Sequence, residues 1–183
     1  IEIGVDSYKK HTGREPRGIW LAECGYVPGF DSYLREHGLS FFFVDSHSLW
    51  YGDPAPRYGV YRPVVTPENV FAFARDPESS QQVWSAEVGY PGDARYREFY
   101  RDVGFDREED YIRPYIDPSG ERCNTGIKYY KITGKDVSLN EKGYYDIEDA
   151  RRATVEHAKD FANRKREQIR RLSSQFDGEE PVI

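Results

Sequence analysis

Three short stretches of the sequence place an ionisable side chain and small residues straight after an apolar run. They are Glu23-Cys24-Gly25-Tyr26, Asp45-Ser46-His47-Ser48 and Glu87-Val88-Gly89-Tyr90-Pro91-Gly92-Asp93. A carboxylate at the end of a buried strand is costly unless it is hydrogen-bonded or takes part in chemistry. Glu23 has the chemistry of a nucleophile or an acid–base group, and Asp45 with His47 that of a polar substrate-binding or ligand pair. Each also has a plain structural alternative: a salt bridge from Glu23 to a neighbouring Arg, an Asp45 that caps the next turn, and a His47 bonded to a backbone carbonyl. Cys24 has no base beside it in the sequence and reads as a small packing residue rather than a nucleophile. No second His stands at ligand spacing near His47, and Cys24 and Cys123 lie about a hundred residues apart without a CxxC pair. Neither a metal site nor a disulfide framework is expected.

The elements that must position these groups alternate between strand and helix. Gly18 to Ala22 and Leu39 to Val44 are apolar runs suited to parallel strands covered on both faces. Gln82 to Ser85 is a weaker third. Pro28 to His37 reads as a helix stopped by Gly38. Thr66-Pro67-Glu68 resembles a cap, a first-turn proline and a first-turn acid, which predicts a helix carrying Val70, Phe71 and Phe73 to about Arg75. Asp93 to Asp102 is expected to be helical, and Asn124 to Thr133 to be extended or a hairpin within an insertion. Asp146 is a good N-cap for a helix of about thirty residues that ends near Gly178, with Ile147, Ala150, Ala158, Phe161, Ala162, Ile169, Leu172 and Phe176 at helical spacing. Strands separated by helices predict βα units and a parallel sheet, in which reactive side chains sit at the carboxyl edge.

Both ends suggest an excerpt. Ile1, Val5 and Tyr8 share a helical face with no cap before them, and Pro181-Val182-Ile183 reads as the opening of a buried strand. The chain has 183 residues and no Met. Residues 1–183 are therefore expected to be one partial domain whose partner is the remainder of its own polypeptide. A net charge of −6 argues against a broad grip on nucleic acid or an anionic membrane. No run approaches the roughly 18 apolar residues of a membrane span, and the start carries no leader-like segment, so a cytoplasmic location is expected. Aromatic residues make up 15% of the chain, 15 of them Tyr, a side chain with a flat apolar face and a hydrogen-bonding tip suited to sugar rings.

The string Ile19-Trp20-Leu21-Ala22-Glu23-Cys24-Gly25-Tyr26 resembles the nucleophile motif of family 57 glycoside hydrolases, and most of all that of their 1,4-α-glucan branching enzymes. The resemblance continues in order through Phe42 to His47, Tyr58 to Pro63, Phe73 to Ser80, Gln82 to Asp93 and Asn124 to Tyr129. It implies an α/β fold, a segment of an incomplete (β/α)7 barrel with parallel strands and an inserted loop and helix region. It implies a retaining enzyme acting on an α-1,4-glucan such as amylose, glycogen or starch, with Glu23 as nucleophile and no metal or organic cofactor. Asp45, His47, Tyr61, Trp84 and Tyr90 are the expected substrate-binding residues, with Tyr51 and Tyr58 as further wall candidates. The family's acid/base is an Asp on a later strand, so the segment alone is expected to be inactive. An α-amylase or 4-α-glucanotransferase of the same family is the near alternative. A metal-dependent polysaccharide deacetylase using Asp45 and His47, and a non-catalytic α-glucan-binding domain, are more remote.

Overall fold

A computed structural model describes residues 1–183 and divides them into two compact units, residues 1–80 with 164–183, and residues 81–163. The first unit opens on helix α1 (Glu2–Thr12), which begins without a side-chain cap and ends on Gly13 in the left-handed region. Strand β1 is only Gly18–Ile19, shorter than the apolar run suggests, because Ala22–Cys24 turns away as a 3-10 turn. Helix α2 (Phe30–Glu36) follows and is ended near Gly38, whose φ of 72° suits glycine. Strand β2 (Phe41–Val44), the short helix α3 (Ser46–Trp50), strand β3 (Val64–Val65) and strand β4 (Phe71–Ala74) complete the sheet.

The sheet order is β1-β2-β4-β3. β1 and β4 both run parallel to β2, with Ile19 opposite Phe42 and Val44 opposite Ala74, while β3 pairs antiparallel with β4. Phe42, Val44 and Ala72 point into a core with Leu34, Leu39, Leu49 and Val70. Their neighbours Phe41, Phe43 and Phe73 form an aromatic cluster, ring centroids 5.7 to 6.2 Å apart. A Cβ on Gly18 would lie 2.2 Å from the Phe41 ring, so only glycine lets that ring cover β1.

The helix expected from Thr66 to Arg75 is a hairpin instead. Asn69 N donates to Thr66 O at 3.0 Å and Thr66 N to Val70 O at 2.9 Å, closing a turn with Pro67 at its second position. Asn69 takes φ 58° as the chain enters β4, a conformation Asn tolerates better than most residues. The third strand expected at Gln82–Ser85 is also corrected: residues 77–84 form helix α4 (Pro77–Trp84). Asp76 decides it, since its carboxylate accepts from Ser79 N at 2.8 Å at the helix start. Within the first unit Asp76 is held by Gln168 Nε2 at 2.9 Å and Lys165 Nζ at 3.2 Å.

The second unit has little regular structure. Tyr90–Gly92 is a 3-10 turn, and helices α5 (Val103–Asp106) and α6 (Glu109–Ile112) are single turns. The helix expected over Asp93 to Asp102 is absent: Asp93 Oδ1 accepts from Arg95 N at 2.9 Å, a local turn that competes with helix, and Arg97 is bridged antiparallel to Lys131. The stretch from Asn124 to Thr133 forms no strand and pairs only through isolated antiparallel bridges, Lys131 with Arg97 and Tyr130 with Tyr144. Fully buried Asp102 organises the unit by accepting from Gly104 N, Thr125 N, Thr125 Oγ1 and Gly126 N at 2.8 to 3.0 Å. Helix α7 (Ile147–Ser173) begins where Asp146 Oδ1 accepts from Asp149 N. Beyond it Pro181 to Ile183 form no strand, although Val182 N donates to Tyr61 O at 2.9 Å. No helix is long and apolar enough to cross a membrane.

Candidate active site

The carboxyl ends of β1, β2 and β4 carry the candidate site of the first unit, because parallel strands deliver their last residues to one edge. Buried Leu21 anchors the exit from β1, and the chain then turns through Glu23 at φ 53°, ψ 27° and Cys24 at φ 54°. Cys24 N donates to Leu21 O and Gly25 N to Ala22 O, each at 3.0 Å, which ties the turn to the strand. The Glu23 side chain is exposed and that of Cys24 is buried.

Asp45 directly follows β2. It caps α3 by accepting from Ser46 N at 3.1 Å, so its structural alternative holds at the backbone level. The carboxylate also faces His47 Nδ1 at 3.8 Å and Arg75 Nη1 at 3.9 Å. Arg75 directly follows β4, where its N donates to Val44 O at 3.0 Å. Its guanidinium lies 5.8 Å from the Trp20 ring, and that ring lies 5.7 Å from Phe43. Burial pushes the Cys24 thiol up, against a pull down from Arg75, while Asp45 and Glu23 push it further up. Those charges set Cys24 among the three groups, and a thiol held protonated fits packing rather than nucleophilic chemistry. The arrangement is thus one exposed carboxylate on a left-handed turn next to Cys24, and at the same sheet edge an Asp flanked by a His and by an Arg over an indole.

Tyr61 is half-buried at the end of a 3-10 turn (Gly59–Tyr61), its ring 6.5 Å from Phe176, which Tyr58 stacks at 4.6 Å. Tyr51 is largely exposed. Trp84 and Tyr90 belong to the second unit. Trp84 is exposed at the end of α4, whereas Tyr90 stacks on His157 at 4.6 Å and donates to Asp160 Oδ2 at 2.7 Å. Glu87 and Asp93 do not follow a strand. Hydrogen bonds from Arg95 hold Asp93 down to about 2, against the effect of burial and with His157 Nε2 at 3.2 Å. Trp20 and Arg75 were not singled out from the sequence. Arg75 closes the apolar run Phe71 to Ala74, and reading that run as helix concealed the strand end it occupies. His47 and Asp45 lie together, but no group of three His, Cys, Asp or Glu converges as a ligand set.

Comparison with known proteins places this geometry among relatives. The sequence model of Glycosyl hydrolase family 57 matches residues 1–168. The 1,4-alpha-glucan branching enzyme TK1436 of Thermococcus kodakarensis is 34% identical over 212 residues, covering 100% of this chain and 28% of the relative. Among solved structures, the alpha-amylase AmyC from Thermotoga maritima superposes with a TM-score of 0.82 at 62% identity, covering 99% of this chain and 35% of that one. A branching enzyme from Pyrococcus horikoshii gives 0.74 at 32% identity, covering 100% of this chain and 32% of that one. The chain spans about a third of the length of the relatives it matches.

Proposed function

The chain belongs to glycosyl hydrolase family 57, and on that footing we propose that it carries the nucleophile half of a retaining α-1,4-glucan-active site, Glu23, in an enzyme that transfers glucan chains from 1,4 to 1,6 linkage. The observation that carries this reading is the exposed Glu23 carboxylate on a left-handed turn at the carboxyl edge of a parallel sheet. Residues 1–183 form part of an incomplete (β/α)7 barrel, and a later strand outside them supplies the acid/base Asp.

In the proposed reaction Glu23 attacks the anomeric carbon while the second carboxylic acid, about 5 to 5.5 Å away in retaining enzymes, protonates the departing glycosidic oxygen. The bond to the leaving sugar breaks as the bond to Glu23 Oε forms. The 6-hydroxyl of another glucan then displaces Glu23, giving its proton to the carboxylate that acted as acid. Asp45 and His47 offer an acceptor and a ring nitrogen to glucan hydroxyls, and Arg75 holds Asp45 beside them. Trp20 offers an aromatic face at the same edge. Tyr61, Trp84 and Tyr90 are proposed further glucan contacts.

A second reading, α-amylase, is favoured by the 62% identity to AmyC, well above the 32–34% to the branching enzymes. It uses the same nucleophile and differs only in letting water complete the second step. The experiment that tests the shared core is trapping: the full-length protein is treated with a 5-fluoro glycosyl fluoride of the α-gluco series and digested. A mass increase of one glycosyl unit on the peptide holding Glu23 is expected. An adduct on another carboxylate would overturn the assignment.

A further inference from the structure

Within the second unit, residues 129–131 and 143–145 run antiparallel, with Tyr145 N donating to Tyr129 O at 2.8 Å and Lys131 N to Gly143 O at 2.9 Å. This ladder presents four tyrosines, and Tyr129, Tyr130, Tyr144 and Tyr145 line a cavity of about 270 Å³ closed by Asp106 and Arg107 at the end of α5. Tyr130 and Tyr144 stack with centroids 5.2 Å apart and planes 22° from parallel. Arg101 lies 3.7 Å over the Tyr130 ring and is fixed by Asp106 Oδ1, which accepts from its Nε at 2.7 Å. Arg97 covers Tyr145 at 4.9 Å. The platform is thus locked before any ligand arrives. Yet Tyr144 keeps 76% of its surface exposed and Tyr129 52%. Exposed aromatic faces held rigid beside a carboxylate are costly to a surface that meets only water.

We infer that this tyrosine cavity is a second α-glucan-binding site, one that takes a glucosyl unit of a long chain and performs no chemistry. The inference rests on the α-glucan reading above. A pyranose offers one face of C–H groups that packs on an aromatic ring and a rim of hydroxyls that pairs with Asp106 and Arg107. The volume falls just below the usual range for ligand sites and suits about one sugar ring rather than an extended cofactor.

The test uses the full-length protein with Glu23→Gln, so that bound glucan is not consumed, in native gels cast with amylopectin. Adding Tyr144→Ala is expected to weaken retardation by roughly three- to tenfold in apparent Kd, while Tyr144→Phe, which keeps the ring, leaves it in place. In the active background Tyr144→Ala should turn over a short malto-oligosaccharide at the parent rate. Should Tyr144→Ala fold poorly, Tyr129→Ala is read in the same gel. Retardation that neither tyrosine affects would overturn this site alone. A protein that neither binds nor converts any α-glucan would sink the substrate reading and this inference together.

Discussion

Glu23 and Cys24 are consecutive non-glycine residues with positive φ, 53° and 54°. Such conformations cost of order 1–3 kcal/mol each and persist only where surrounding structure over-determines them. Buried Leu21 and Cys24 pin the turn on either side, which leaves Glu23 directed outward while its backbone is fixed. A nucleophile benefits from that arrangement, since a fixed carboxylate need not be reorganised in the transition state. Glu23→Gln in the full-length protein keeps the shape and removes the charge. Its melting temperature and glucan binding should stay near those of the parent, while turnover falls by about five orders of magnitude, or about 7 kcal/mol. With Glu23→Ala, azide should restore part of the rate and yield a β-glycosyl azide, identified by NMR of the product. A glutamate that served only the fold would show the reverse: a lower melting temperature, near-normal turnover per folded molecule and no azide adduct.

Among the elements, the hairpin between β3 and β4 depends on Asn69 at φ 58°. Asn69→Gly should leave stability within a few tenths of a kcal/mol or improve it, whereas Asn69→Val should cost about 1–2 kcal/mol, read from urea midpoints. This hairpin also marks where the sequence ceased to be legible. Thr-Pro-Glu serves equally as a helix start and as a turn, and only the pairing of Phe71 to Ala74 with β2, a long-range contact, selects the strand. Gln82 to Ser85 looked β-like by composition, but capping by Asp76 upstream governs it. By contrast the apolar runs before Glu23 and Asp45 and the periodicity of α7 were readable, because burial on both strand faces and a 3.6-residue period are local signals. Arg75 escaped notice because its role exists only once β4 lies beside β2. In the second unit, burial would raise Asp102, but hydrogen bonds from Thr125, Gly104 and Gly126 outweigh it and hold the carboxyl at about 2. A depressed carboxyl stabilises the fold above the unfolded value near 4 and ceases to do so as pH falls through 2. Asp102→Asn should therefore be less stable than the parent at pH 7, by about 3 kcal/mol for the donors left without a charged acceptor, and the difference should shrink from about pH 4 down to pH 2. Denaturant midpoints of both proteins at pH 7, 4 and 2 check this.

For the whole molecule, the question is which acceptor completes the reaction proposed to start at Glu23. The catalytic carboxylates are the same for hydrolysis, disproportionation and branching, so the outcome depends on whether water or a sugar hydroxyl reaches the glycosyl-enzyme first, and on which hydroxyl. Holding a second glucan where its 6-hydroxyl meets the anomeric carbon converts an encounter into an effectively intramolecular step, worth several kcal/mol over bulk water. Aromatic platforms serve this end, since they bind acceptor chains without offering groups that activate water. The chain is rich in them, with 15 Tyr and 3 Trp, many exposed. On that basis the full-length protein acting on amylose is expected to lower the iodine colour with few new reducing ends and to leave 1,6-linkages that a debranching enzyme releases as short chains. Iodine absorbance, reducing-end assay and chain profiles before and after debranching measure all three outcomes in one time course. Reducing ends that rise in step with the loss of colour would make the protein a hydrolase, in line with its 62% identity to AmyC. Chains redistributed in length without any 1,6-linkage would make it a 4-α-glucanotransferase. Either result would leave the proposed role of Glu23 standing and move the source of specificity to the residues that hold the acceptor.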